Sequence, residues 1–220
     1  MTERDAIERT SEPITTVSLV DDLRALGVES GMTLLVHSSL NSLGWVCGGP
    51  VAVVLALEEV LGKQGTLVMP TMSGDLTDPR DWRNPPVPED WKKTIRASMP
   101  PFDLDLTPTR GMGTVAETFR KRPGALRSCH PHASFAAHGP NAARITADHP
   151  LDYALGETSP LARIYELDGF VLLLGIGHAN NTSLHLAEYR ANYLGKRERP
   201  NGAPLTIVGV RRWVDVLDLD

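Results

Sequence analysis

The sequence predicts an α/β fold: a layered sheet of mainly parallel strands covered by helices, with a long irregular insertion and a C-terminal hairpin. Three observations carry this prediction. Residues 17–70 alternate helical periodicity with short apolar runs in the order helix, strand, helix, strand, the signature of a parallel sheet covered by crossover helices. Residues 159–190 repeat the alternation. A hydrophobic share of 41% against 22% charged residues over 220 residues then supplies a sizeable core for one domain.

Each element has a local cause. Residues 1–13 are polar and are expected to form a loose tail, with a single domain over 14–220. In TTVSLVDDLRALG the residues Leu19, Val20, Leu23 and Leu26 share a helical face, and Gly27 is a stop. MTLLVH reads as a buried strand ending at His37. GGPVAVVLALEEVLG opens with Pro50 in the first turn and stops at Gly62, and GTLVMP repeats the strand pattern. Further on, Ser159 and Pro160 open a helix that Gly169 closes, FVLLLG follows as a buried strand, and NTSLHLAEYRAN as a helix. The last residues read as a hairpin about Gly209. Residues 71–110 stand apart: proline-rich, without sustained period, and dense in carboxylates from Asp75 to Asp105. Long structureless segments of this kind are either solvated insertions or binding loops, and an acidic one suits a cationic ligand.

Bulk properties narrow the function classes. The net charge of -5 offers no basic face for nucleic acid. The N-terminus has no apolar signal segment and the apolar runs are too short to cross a bilayer, so no membrane partner is expected. Two cysteines, Cys47 and Cys129, make no disulfide framework. A soluble cytoplasmic protein is the expectation.

Ligands of open α/β sheets gather at the carboxyl ends of the strands. Three strands end there in polar turns, which would bring His37, Ser38, Ser39, Asp75 and His178 to one rim. His178 follows Gly175 and Gly177, which allow a tight path, and precedes a helix opened by Asn181 and Thr182. An imidazole beside a helix start suits proton removal from a nucleophile that attacks a carbonyl. Glu188 lies three residues after His185 on one helical face, to orient a histidine or to hold a cation. Arg110 with Gly111, Met112 and Gly113 ahead of a helix makes a phosphate seat. Cys129 next to His130 offers a thiol and base pair, although Pro131 points to a rigid turn instead.

Taken together, LLVHSSLNSLG, GTLVMPTMSGD, TPTRGMGTVAETFR, RSCHPHASFAAHGPNA, SPLARIYELDGFVLLLGIGH and NTSLHLAE resemble, in order along the chain, the aminoglycoside 3-N-acetyltransferase family. The resemblance implies acetyl transfer from acetyl-coenzyme A to the 3-amino group of a deoxystreptamine aminoglycoside, on a fold distinct from the common acetyltransferases. It places the family's turn histidine on His178 and its glutamate on Glu188, and with His37 these are the expected catalytic residues. It places His37, Ser38, Ser39 and Arg110 to Gly113 on the coenzyme A side; Asp75 of the acidic insertion, with Asn181 and Glu188, is expected at the cationic substrate. Ala179 stands where many relatives carry an acidic residue, and a further C-terminal segment beyond Asp220 is expected, so the chain reads as truncated or shortened. No metal is expected. Acetylation of another amine, a metal-dependent hydrolase using His37, His178, His185 and Glu188, and an inactive binding module are the alternatives.

Overall fold

A computed structural model describes residues 2–219. In chain order the elements are α1 (Glu3–Arg9), α2 (Thr16–Ala25), β1 (Thr33–Ser38), α3 (Leu40–Leu43), α4 (Gly49–Leu61), β2 (Thr66–Pro70), α5 (Trp91–Ser98), α6 (Gly113–Arg120), β3 (Leu126–Arg127), β4 (Phe135–His138), α7 (Ala142–Thr146), α8 (Pro160–Glu166), β5 (Phe170–Leu174), α9 (Ser183–Arg190), β6 (Glu198–Ile207) and β7 (Val210–Leu219). The main sheet runs β3-β4-β2-β1-β5. At its centre β1 is parallel to β2, with Leu34 opposite Leu67, and parallel to β5, with Leu35 opposite Val171. β4 is antiparallel to β2 and to β3. Parallel pairing puts the carboxyl ends of β1, β2 and β5 on one edge, as the alternating pattern predicts.

The period of two along a strand splits the core into two layers. Leu34 and Val36 of β1 face the cluster built on Leu19 and Leu23 of α2, Val53, Leu57 and Leu61 of α4, and Val115 and Phe119 of α6. Leu35 and Val68 face the other way, onto Ile145 of α7, Leu161 and Ile164 of α8 and Leu186 of α9. The capping signals behave as read: the Ser159 hydroxyl accepts from the Ala162 N–H, with Pro160 in the first turn. Gly169 does not supply the left-handed residue that ends α8. Asp168 carries the left-handed φ of 49°, whereas a Cβ on Gly169 would lie 2.6 Å from Ile164 Cγ2.

Several expectations change. Residues 3–9 are a helix rather than loose, because Thr2 and Asp5 form a capping box and Ala6 is buried. Residues 71–110 contain α5 and two 3-10 turns, and their carboxylates are largely engaged. Asp78, only 4% exposed, takes Arg96 at 2.7 and 3.1 Å. Glu89 pairs with Lys92 at 2.6 Å, and Asp103 accepts from the Asp105 and Leu106 N–H groups. These acidic side chains brace the insertion, while Asp75 lines a cleft within it. β5 is half-exposed at the sheet edge, with Phe170 52% exposed, because it has a strand partner on one side alone. The C-terminal hairpin forms as expected, its turn made by Val208 and Gly209, both at positive φ.

Candidate active site

A cavity of about 420 Å³ opens at the carboxyl edge, where the end of β1 (His37, Ser38) and Ser39 after it meet the segment leading into α6 (Gly111 to Thr114) and the turn holding Asn180 and Thr182. The TRGMG and HSS stretches do come together. Gly111 and Gly113 sit at φ of 73° and 81°, a region glycine enters without strain, and a Cβ on Gly113 would lie 3.7 Å from the Ser38 carbonyl oxygen. Met112 precedes α6 with no side-chain cap, which leaves the first N–H groups of that helix for a ligand. Ser39 is bound into the scaffold, its hydroxyl 2.9 Å from that of Ser42 and its N–H donating to Leu174 O.

His37 is 5% exposed on the cavity wall. Its Nε2 is buried without a hydrogen-bond partner among the described residues. Burial pushes its pKa down to about 4, so the ring is neutral at ordinary pH.

Arg110 and Asp75 are not in the cavity wall. They form an ion pair with one another, both more than half exposed, in a neighbouring cleft with Trp82. The predicted anion seat and cation seat thus neutralise each other. Asn181 is also engaged: its Oδ1 accepts from the N–H and hydroxyl of Ser183, which fixes the start of α9.

His178 lies in an exposed 3-10 turn, His178–Asn180. Its side chain makes no hydrogen bond among the described residues and is not part of the cavity wall. The glycine argument for this turn holds at one position only. Gly175 has φ 71°, and a Cβ there would meet Ser42 Cβ at 3.0 Å and Ser39 O at 3.1 Å. Gly177 has φ -99° and ψ 177°, extended backbone open to any residue, with nothing within 4 Å of a Cβ.

Of His178 and His185, the one with a carboxylate partner is His185. Its Nδ1 lies 2.6 Å from Glu188 Oε2, with both side chains about half exposed. A carboxylate at Nδ1 selects the tautomer in which Nδ1–H donates, leaving the Nε2 lone pair free to take a proton. Leu186, between them, is buried against the core, so α9 is pinned while its other face stays open. At the far end of α9 a cleft of about 510 Å³ includes Tyr153, Tyr189 and Glu198. The half-buried Asp218 of β7 has a pKa raised first by burial, with His185 near enough to oppose the rise. Sequence reasoning missed Tyr153, Tyr189 and Asp218. Their one local signal, a left-handed Tyr153 at φ 54°, is a tertiary fact.

The Cys129–His130 idea fails on geometry. Cys129 is exposed, but both ring nitrogens of the buried His130 are occupied: Nδ1 accepts from the His132 and Ala133 N–H groups, and Nε2 donates to Leu151 O. Beside it, His149 Nδ1 accepts from the Ser128 hydroxyl at 2.8 Å while Nε2 donates to Ala154 O at 2.6 Å. Burial brings His130 down to about 3 and His149 to about 4. Among the described residues no three His, Cys, Asp or Glu side chains converge to hold a metal ion, so the four proposed hydrolase ligands are not assembled. Among the described residues no helix is long and apolar enough to cross a membrane.

A parallel-centred sheet, a cavity at its carboxyl edge and a histidine–carboxylate pair on the adjoining helix define an α/β enzyme. The aminoglycoside 3-N-acetyltransferase family model matches residues 35–220. The chain is 48% identical over 215 residues to the SPbeta prophage-derived aminoglycoside N(3')-acetyltransferase-like protein YokD of Bacillus subtilis, covering 97% of this chain and 78% of that one. It is 42% identical to the aminoglycoside N(3)-acetyltransferase VIII of Streptomyces fradiae, over 100% of this chain and 76% of that one. The crystal structure of YokD superposes with a TM-score of 0.96 at 47% identity, covering 99% and 80% of the two chains. A structure of AAC-IIIb with CoASH gives 0.82, and one of AAC-VIa with sisomicin gives 0.84, each at 36% identity over 95% of this chain and 77% of the other. The chain belongs to the aminoglycoside 3-N-acetyltransferase family, a family of acyltransferases.

Proposed function

We propose that this protein transfers an acetyl group from acetyl-coenzyme A to the 3-amino group of a deoxystreptamine aminoglycoside, directly, in a ternary complex, in the cytoplasm where the donor is made. The observation that carries the mechanism is the 2.6 Å bond between His185 Nδ1 and Glu188 Oε2. A relative solved with CoASH and another with sisomicin support the two substrates.

The donor cavity fits an acyl-coenzyme A through features of this chain. The uncapped start of α6 offers N–H groups to phosphate oxygens, and Gly111 and Gly113 let the backbone approach closely. The acceptor is a polycation, and an amine attacks only once it is neutral. His185 Nε2 takes the proton as the amine nitrogen bonds to the acetyl carbon and the carbon–sulfur bond breaks, coenzyme A leaving as thiolate. Glu188 holds the ring in its accepting tautomer and stabilises the imidazolium that results. Neither His178 nor His185 is in the cavity wall; His185 is favoured as the base because Glu188 orients it, whereas His178 has no such group. Glu188 keeps its role, as an orienting carboxylate.

The test is thiol release from acetyl-coenzyme A with kanamycin-type and gentamicin-type acceptors. His185→Ala should lower kcat by about 10² to 10⁴, the usual share of a general base, and Glu188→Gln should lower it by less. If His178→Ala were the damaging change and His185→Ala neutral, the assignment would reverse. No thiol release from the parent chain with any aminoglycoside would remove the function itself.

A further inference from the structure

His37 is a polar side chain that the protein does not satisfy. At 5% exposure it is as buried as the apolar residues around it, yet its Nε2 has no partner. Leaving a buried polar group unpaired costs on the order of 1–3 kcal/mol, and strand pairing gives β1 no need of one: its neighbours Val36 and Leu35 fill the same strand with aliphatic side chains. The other buried histidines contrast with it, since His130 and His149 have both ring nitrogens hydrogen-bonded. His37 alone of these three lines a cavity, beside the uncapped start of α6 and the turn at Asn180 and Thr182 that leads into α9. An unmet group in a cavity wall is explained by a ligand that completes it.

We propose that His37 is a catalytic residue that meets the acyl donor as a neutral imidazole and donates its ring N–H to the thioester carbonyl oxygen. This rests on the acetyl-transfer reading above. As the acceptor nitrogen bonds to the acetyl carbon, the carbonyl pair shifts onto oxygen, where the fixed N–H opposes the growing charge. The pair returns as the carbon–sulfur bond breaks, and the amine proton goes to His185. His37 itself neither gains nor loses a proton. The low pKa imposed by burial suits this role, because a neutral ring cannot compete with His185 for the proton yet still donates a hydrogen bond.

Two measurements test it. In the intact protein with labelled histidine, the His37 ring nitrogen resonances should stay those of a neutral ring from pH 8 to pH 5.5. They should move on adding acetyl-coenzyme A and move less with coenzyme A, which has the same pantetheine amides but no thioester. Equal responses would assign the contact to a pantetheine amide, and no response would deny any contact; either overturns the proposal. In kinetics, His37→Leu should lower kcat by roughly 10² to 10³, with the KM for acetyl-coenzyme A and the pH profile set by His185 little changed. His37→Gln, which keeps an N–H donor, should recover part of the loss. If both variants melt normally and His37→Leu retains kcat within twofold, the proposal fails. A parent chain that acetylates nothing but shows the acetyl-dependent resonance shift would sink the aminoglycoside reading while leaving His37 at the thioester.

Discussion

Lowering the pH from 7.5 to 5 should destabilise this protein steeply through its buried histidines, His149 and His130 in near-equal measure. His149 is 7% exposed and held neutral between the Ser128 hydroxyl and the Ala154 carbonyl. Burial takes its pKa from 6.5 to about 4. The unfolded chain binds a proton near 6.5 and the folded chain does not, so the unfolded state holds more protons between those values and stability rises with pH there. The contribution is fully present above pH 6.5 and is lost as pH falls from 6.5 towards 4. At pH 5 the unfolded state has gained about 2 kcal/mol from this one group, at 1.36 kcal/mol per pKa unit. His130, stacked on His149 with ring centroids 4.8 Å apart and depressed to about 3, adds a similar amount. Together these approach the lower end of the 5–15 kcal/mol that holds an ordinary domain together. The assay is urea unfolding followed by circular dichroism at pH 7.5, 6.5, 6 and 5, repeated with His149→Gln. The variant should be weaker at pH 7.5, because it disturbs a buried bond, but its stability should fall less with acid. Wild-type stability that is flat between pH 6.5 and 5, or an identical slope in the variant, would refute the reasoning.

Other outcomes follow from single contacts. Gly177→Val should leave both the melt and acetyl transfer near normal, since its backbone is extended and its surroundings open, whereas Gly175→Val should damage both by pushing β1 and α3 away from the turn; paired activity and melting assays decide this. Gly139→Ala should destabilise by several kcal/mol or prevent folding, because its Cβ would fall inside the Gly65 carbonyl and the φ is 125°; soluble yield and urea midpoint report it. Asp75→Asn breaks an ion pair exposed on both sides, so stability should change by less than about 1 kcal/mol. The same variant frees Arg110 and tests whether the KM for the aminoglycoside depends on Asp75 at all, measured at low and high salt.

The amino-acid sequence by itself determined the layered α/β class, the strands β1, β2 and β5, and the helices α2, α4, α8 and α9. These follow from periodicity, caps and glycine stops, which act over a few residues and are written locally. It also brought His185 and Glu188 onto one helical face, although spacing could not say whether they bond. Only the tertiary structure decided which histidine has a carboxylate and which has none, because His178 and His185 differ in their environment and not in their residue type. It decided that Asp75 answers Arg110 and Asp78 answers Arg96, pairings 35 and 18 residues apart that no local pattern encodes. It turned a polar tail into a capped helix held against Trp45, whose indole N–H reaches Glu3 across 42 residues. And it left His37 buried without a partner at a cavity wall, since burial is a property of everything packed around a residue, and a sequence lists only the residue.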